Sequence, residues 1–186
     1  MCNCETHLFS SNRDIGEGLS LLMSVDSTTL LRIYLQDQDA ALIISQRIAR
    51  RSGTSNRGTE LGDLLSRLWK QLLEDSASLE EIMSLLGIRP SRVKRASTWG
   101  AEKLGRMKLN GRLIRYSDLS RVYEIESLLA FLGLKRSLWA ALKQNFPEAL
   151  GSVDMDALIA KATRQLEELE PHREAAAKTA LGGKKT

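Results

Sequence analysis

Proline is almost missing from this chain. Only Pro90, Pro147 and Pro171 occur among 186 residues, so long stretches meet no residue that removes a backbone donor and interrupts a helix. Cysteine is as scarce, with Cys2 and Cys4 alone. Their one-residue gap strains a direct disulfide, and two thiols do not complete a metal site. Two free thiols in a reducing, cytoplasmic compartment are therefore expected. Histidine is limited to His7 and His172. No apolar run approaches the roughly 18 residues needed to cross a bilayer, so no transmembrane segment is expected. The N-terminus lacks the basic-then-apolar order of a signal peptide. Nucleophile-elbow, phosphate-loop and dinucleotide motifs are missing too, and Gly182-Gly183-Lys184-Lys185-Thr186 is no phosphate loop without a strand before it.

What is present is an ordinary globular balance, 42% hydrophobic and 27% charged. The net charge of +4 is mild; its distribution says more. From Arg89 to Arg115 the chain carries Arg89, Arg92, Lys94, Arg95, Lys103, Arg106, Lys108, Arg112 and Arg115 against the single acid Glu102. The C-terminal part leans acidic, with Glu167, Glu168, Glu170 and Glu174. Complementary faces within one bundle would produce this division, as would an anionic partner.

Residues 1–25 read as a disordered leader, 26–181 as one helical-bundle domain and 182–186 as a frayed tail. The folded part is expected to start with Asp26 or Ser27 as a helix N-cap, and Met23 is a candidate start codon. The first helix is expected over Ser27–Arg51, followed by a polar loop Ser52–Gly58. Thr59 caps a second helix to Leu86, closed by Gly87. Ser91 opens a third helix to about Leu109, Ser117 or Asp118 a fourth to Asn145, and Asp154 a fifth that Pro171 breaks or kinks. Mid-helix Gly100 and Gly133 suggest close approach of neighbouring helices. These signals define an all-α chain, an antiparallel four-helix bundle with an additional C-terminal helix.

The second helix has the clearest seam: Leu61, Leu65, Leu68, Leu72, Asp75, Leu79, Ile82 and Leu86, spaced four and three in alternation. Asp75 interrupts it. A buried carboxylate must be paired, hydrogen-bonded or protonated. The first helix offers a similar seam of Leu30, Tyr34, Asp37, Ala41, Ile44 and Ile48. The fourth offers Leu119, Val122, Glu126 and Leu129, with Glu124 on a neighbouring face. Asp37, Asp75 and Glu126 thus form a candidate polar core. It would be neutralised by Arg32, Arg67, Arg121, Arg136 and Tyr34 or Tyr123, or, in the sharper reading, by a metal ion. Carboxylate-bundle metal sites add Glu-x-x-His pairs, and none is present, so neither a cofactor nor a catalytic set is expected.

Leu79–Arg95 also has the outline of a helix-turn-helix, with Ser91, Arg92, Lys94 and Arg95 on the second helix. The unbroken seam back to Leu61 makes the first helix too long for that motif. Trp69, Trp99 and Trp139 fall on three helices and read as core or edge packing.

Long helices with acids at Asp37, Asp75 and Glu126 resemble the ferritin-like superfamily. Ser55-Asn56-Arg57-Gly58-Thr59, Gly105-Arg106-Met107-Lys108-Leu109-Asn110-Gly111-Arg112-Leu113 and Tyr116-Ser117-Asp118-Leu119-Ser120-Arg121 resemble a set of uncharacterised actinobacterial proteins over about Ser27–Leu181. That likeness implies a fold and no activity. The expectation is a non-catalytic bundle that binds itself, another protein or, less favoured, nucleic acid. Its anionic-partner surface would be Arg92, Lys94, Arg95, Lys103, Arg106 and Lys108. A degenerate carboxylate-bundle metalloprotein and a DNA-binding module stand as alternatives.

Overall fold

The computed structural model describes residues 26–89 and 116–182. Their regular elements are four α-helices: α1 Ser27–Ser55, α2 Glu60–Leu85, α3 Asp118–Asn145 and α4 Met155–Leu181, with no strand among the described residues. The helix expected over 91–109, with Trp99 and Gly100, lies outside the described residues. The chain divides into two compact units, Met1–Tyr34 and Leu35–Thr186. In the first, the helix start is held by the Thr29 and Leu30 amides, which donate to the Asp26 carbonyl at 2.8 and 3.1 Å. The second unit holds the remainder.

Short polar side chains set the helix ends. Thr59, Ser117 and Asp154 accept from the backbone amides of Gly62, Ser120 and Ala157 at 3.1, 3.2 and 2.9 Å. Each satisfies an amide that the first turn leaves without an intrahelical partner. The C-terminus of α2 is a Schellman turn. Gly87 takes φ +68, its amide donates to Ser84 at 3.0 Å, and the Ile88 amide reaches back to Met83 at 2.8 Å. Ile88 and Met83 are both buried.

Two sequence expectations need correction here. The first helix does not stop at Arg51 but runs through Ser52, Gly53 and Thr54 to Ser55. Ser52 and Gly53 are buried, and a Cβ on Gly53 would meet Ser66 Oγ and Leu65 Cβ at 3.4 and 3.5 Å, so this segment is packed against α2 rather than looped out. Of the break or kink expected at Pro171, the break does not occur: α4 continues to Leu181. Pro171 is exposed, and the helix loses one backbone bond there without terminating.

The α2 seam is the spine of the core. Leu61, Leu65, Leu68, Leu72, Leu79 and Ile82 are buried, with Asp75 among them. Further buried apolar side chains come from Leu35, Leu42, Ile48 and Ala49 of α1, from Val122, Ile125, Leu128, Leu132, Leu138, Trp139 and Leu142 of α3, and from Ala162 and Leu169 of α4. A fully buried leucine contributes about 1.5–3 kcal/mol, so this stripe sets the packing. Gln46 of α1 adds polar register, donating to the Leu72 carbonyl at 3.1 Å and to Ser76 Oγ at 2.6 Å. No helix among the described residues is long and apolar enough to cross a membrane.

Candidate functional site: a buried lysine–carboxylate centre

The seam position Asp75 lies on the inner face of α2, and its carboxylate is 1% exposed. Lys135 of α3, itself 2% exposed, donates to Asp75 Oδ2. The same ammonium donates to Gln165 Oε1 of α4 at 2.5 Å. From the solvent side, Lys161 of α4 reaches Asp75 Oδ1 at 3.0 Å and Glu74 Oε2 at 2.7 Å. It also donates to the Gln71 carbonyl at 3.4 Å. Gln165 Nε2 closes the ring on Gln71 Oε1 at 2.8 Å. Three helices meet in one network of two carboxylates, two ammoniums and two amides.

Burial works against the charge on Lys135 and pushes its ammonium below the usual lysine range. Asp75 opposes that shift, and the nearby Lys161 charge adds to it. For Lys161, burial also acts to lower the value, but the hydrogen bonds and charges of Glu74 and Asp75 outweigh it and hold the ammonium above its ordinary range. Charge is balanced locally. Both Asp75 oxygens are occupied, and Lys161 has an acceptor for each of its three protons.

The remaining candidate acids do not join this centre. Asp37 and Glu126 are exposed, whereas Asp39 and Glu124 are buried. Glu124 takes Arg51 at 2.6 Å. The facing expected from sequence is therefore corrected on both helices. In α1 the inner face carries Gln38, Asp39, Ser45 and Ser52, so hydrophobicity alone misplaces it. In α3 leucines lie on several faces, and the true seam includes Lys135, a residue that ordinarily marks the outside. The expected arginines do not neutralise Asp75; the two lysines do. Gly133 is corrected as well, because a Cβ there would meet nothing within 4 Å.

These residues do not fit a metal. At this centre a hard cation would have to displace two ammoniums from Asp75, whose charge they already balance. Among the described residues, no group of three or more His, Cys, Asp or Glu side chains has the arrangement to hold a metal ion. Arg92, Lys94, Arg95, Lys103, Arg106 and Lys108, expected to form an anionic-partner surface, lie outside the described residues.

A second polar knot joins two of the sequence segments singled out above. Asn56 is buried. Its Nδ2 donates to the Ser52 carbonyl at 2.8 Å and to Tyr116 Oη at 2.6 Å, and its Oδ1 accepts from Arg121 Nε at 2.9 Å. Arg121 also binds Asp118 at 3.1 Å and lies 5.8 Å from the centre of the Tyr116 ring. Beneath the knot, Gly62 is obligatory, because a Cβ there would sit 2.2 Å from the Asn56 carbonyl oxygen. Arg50 stacks on Trp69 at 5.4 Å, and Trp139 is wholly buried, so both serve packing. An open groove of about 240 Å³ lies where α3 turns into α4, lined by Lys143, Pro147, Leu150, Asp154 and Asp156 among others. A Lys143–Asp156 pair at 2.6 Å lies at its edge.

Comparison with protein-family models, with curated proteins and with solved structures finds no match to this chain.

Proposed function

We propose that this chain is a non-catalytic binding protein built on an antiparallel, ferritin-like helical bundle. One observation carries the reading: Asp75, the inward acid of the α2 seam, is neutralised by Lys135 and Lys161 of the same chain. The position where a carboxylate bundle would place a reactive centre is filled by an internal ion network. Binding then belongs to the surface. The pairing of Gln46 with Ser76 and of Gly53 with Leu65 and Ser66 supports opposite directions for α1 and α2.

The contact surface for an anionic partner is the basic segment with Arg92, Lys94, Arg95, Lys103, Arg106 and Lys108. An acidic protein surface is the favoured partner, with nucleic acid as the alternative. Fluorescence anisotropy with labelled polyglutamate and with labelled duplex DNA tests this. The expected result is salt-sensitive binding of polyglutamate that falls when Arg92, Lys94 and Arg95 are changed to alanine. Tighter binding of DNA, with the same dependence on those residues, moves the reading to the alternative. No binding of either polyanion at low salt overturns it.

A further inference from the structure

The bonds of Gln46 to Leu72 and Ser76, the stack of Arg50 on Trp69 and the close approach of Gly53 to Leu65 and Ser66 set how α1 lies along α2. Beside that contact, on the side away from Asp75, α1 presents Ile43, Arg47 and Arg50, and α2 presents Trp69, Lys70 and Leu73. At ~100° per residue each set falls within about 100° of arc, and both arcs open on the same side of the helix pair. Ile43 and Trp69 are half-buried, Leu73 is 45% exposed, and Arg47, Arg50 and Lys70 are exposed. The two helices thus frame a shallow groove with an apolar floor and cationic edges.

Those cations are not neutralised within the chain. From Ala40 to Ser55 α1 has three arginines and no acid. Arg51 is held by Glu124, whereas among the described residues no carboxylate pairs with Arg47, Arg50 or Lys70. Arg50 instead lies over the Trp69 ring at 5.4 Å, which holds the guanidinium at the edge of the groove and leaves its charge in place. On α2, Glu74 is taken by Lys161 on another side of the helix. Acids return on this side only two turns away, at Asp63 before Lys70 and at Glu80 and Glu81 after Leu73.

We propose that this groove binds an acidic amphipathic helix of another protein, a proposal that rests on reading the chain as a binding protein and uses a surface apart from Arg92, Lys94 and Arg95. Two helices side by side accept a third along their seam, anchored by side chains one turn apart on its apolar face. Such a ligand lays leucines over Ile43 and Leu73. Carboxylates on its flanks then meet Arg47 and Arg50 on one edge and Lys70 on the other, in charge-assisted bonds that the chain itself does not supply. Leu73, exposed between cations, is what favours this ligand over duplex nucleic acid, whose contacts with proteins go mostly to phosphate and sugar. One helix in a shallow groove makes a small contact, in the weak class below about 1,200 Å², so a dissociation constant on the order of 100 µM is expected.

Fluorescence anisotropy of the full chain with a labelled peptide tests the proposal. The probe has about 14 residues, ~21 Å of helix, with leucine on one face and glutamate on the rest. Its scramble keeps the composition and loses the face. The amphipathic peptide is expected to bind more tightly than the scramble. Leu73→Glu should weaken it at least about tenfold, and Arg47→Glu and Lys70→Glu each at least about threefold. All three side chains are exposed, so the helical circular dichroism spectrum should not change. The variant carrying both Arg47→Glu and Lys70→Glu should instead take the peptide with lysine in place of glutamate, a gain that misfolding does not produce. Equal binding of the scramble, binding indifferent to these changes, tighter binding of duplex DNA through the same residues, or no binding overturns the proposal. Changing Arg92, Lys94 and Arg95 to alanine should lower polyglutamate binding and leave the preference for the amphipathic peptide over its scramble intact, so the two readings fail independently.

Discussion

Lys135 and Asp75, on α3 and α2, form an ion pair in which neither side chain is more than 2% exposed. Taking both charges from water is expensive, and the attraction repays it only when the remaining protons and lone pairs are also satisfied. Here Gln165 and Lys161 supply the missing partners. Such a network adds little net stability over apolar residues of the same size. What it adds is a penalty for any packing that separates α2, α3 and α4.

Calorimetric titration of Mn²⁺ or Fe²⁺ into the full chain is expected to show no stoichiometric binding dependent on Asp75. A one-to-one isotherm lost in Asp75→Asn would show that the lysines yield to a metal.

Two glycines on the helices should respond oppositely to alanine. Gly133→Ala meets open space and removes the flexibility cost of a mid-helix glycine, so stability should rise by up to about 1 kcal/mol. Gly62→Ala forces a Cβ against the Asn56 carbonyl and should cost several times that, about 3 kcal/mol. Urea denaturation of both variants measures this.

Asn56→Ala should destabilise by about 2–3 kcal/mol, since it strips the buried contacts with Ser52, Tyr116 and Arg121. Tyr116→Phe should cost about 1 kcal/mol. Thermal melts of the two variants and of the combination should give losses that do not add, because Tyr116 has already lost its Asn56 partner in the first.

Alkaline pH separates the two lysines. Burial lowers Lys135 from 10.5, so between its folded value and 10.5 the unfolded chain holds more protons at this site. Stability from this group therefore rises with pH across that window. Lys161 is raised above 10.5, so its contribution is intact below 10.5 and lost as pH climbs through the raised value. Urea titrations between pH 8 and pH 10.5 should show Lys135→Met losing ground to wild type as pH increases. A constant difference over that range would exclude a lowered Lys135.

Helix ends were the most legible feature. Thr59, Ser117, Asp154 and Gly87 act locally, through geometry that a few neighbouring residues determine. The α2 seam was legible too, since leucines at alternating spacing leave one choice of face and expose Asp75 as an interruption. Facing failed where polar residues go inside. Gln38, Asp39, Ser45 and Ser52 disguise the inner side of α1, and Lys135 disguises that of α3. The partners of Asp75 were illegible for the same reason, as a lysine enters a core only when a carboxylate from another helix receives it. Gly62 also gave no signal, because its constraint is a carbonyl brought close by the turn before it.

A double-mutant cycle on Asp75 and Lys135 tests the central relationship most directly. Asp75→Leu should cost about 3–5 kcal/mol, because it leaves the buried Lys135 ammonium without a carboxylate; Lys135→Met should cost less, because Lys161 still holds Asp75, and the double variant should fall within about 1–2 kcal/mol of wild type. Single variants that lose little, with effects that simply add in the double, would contradict a buried ion pair at the heart of this bundle.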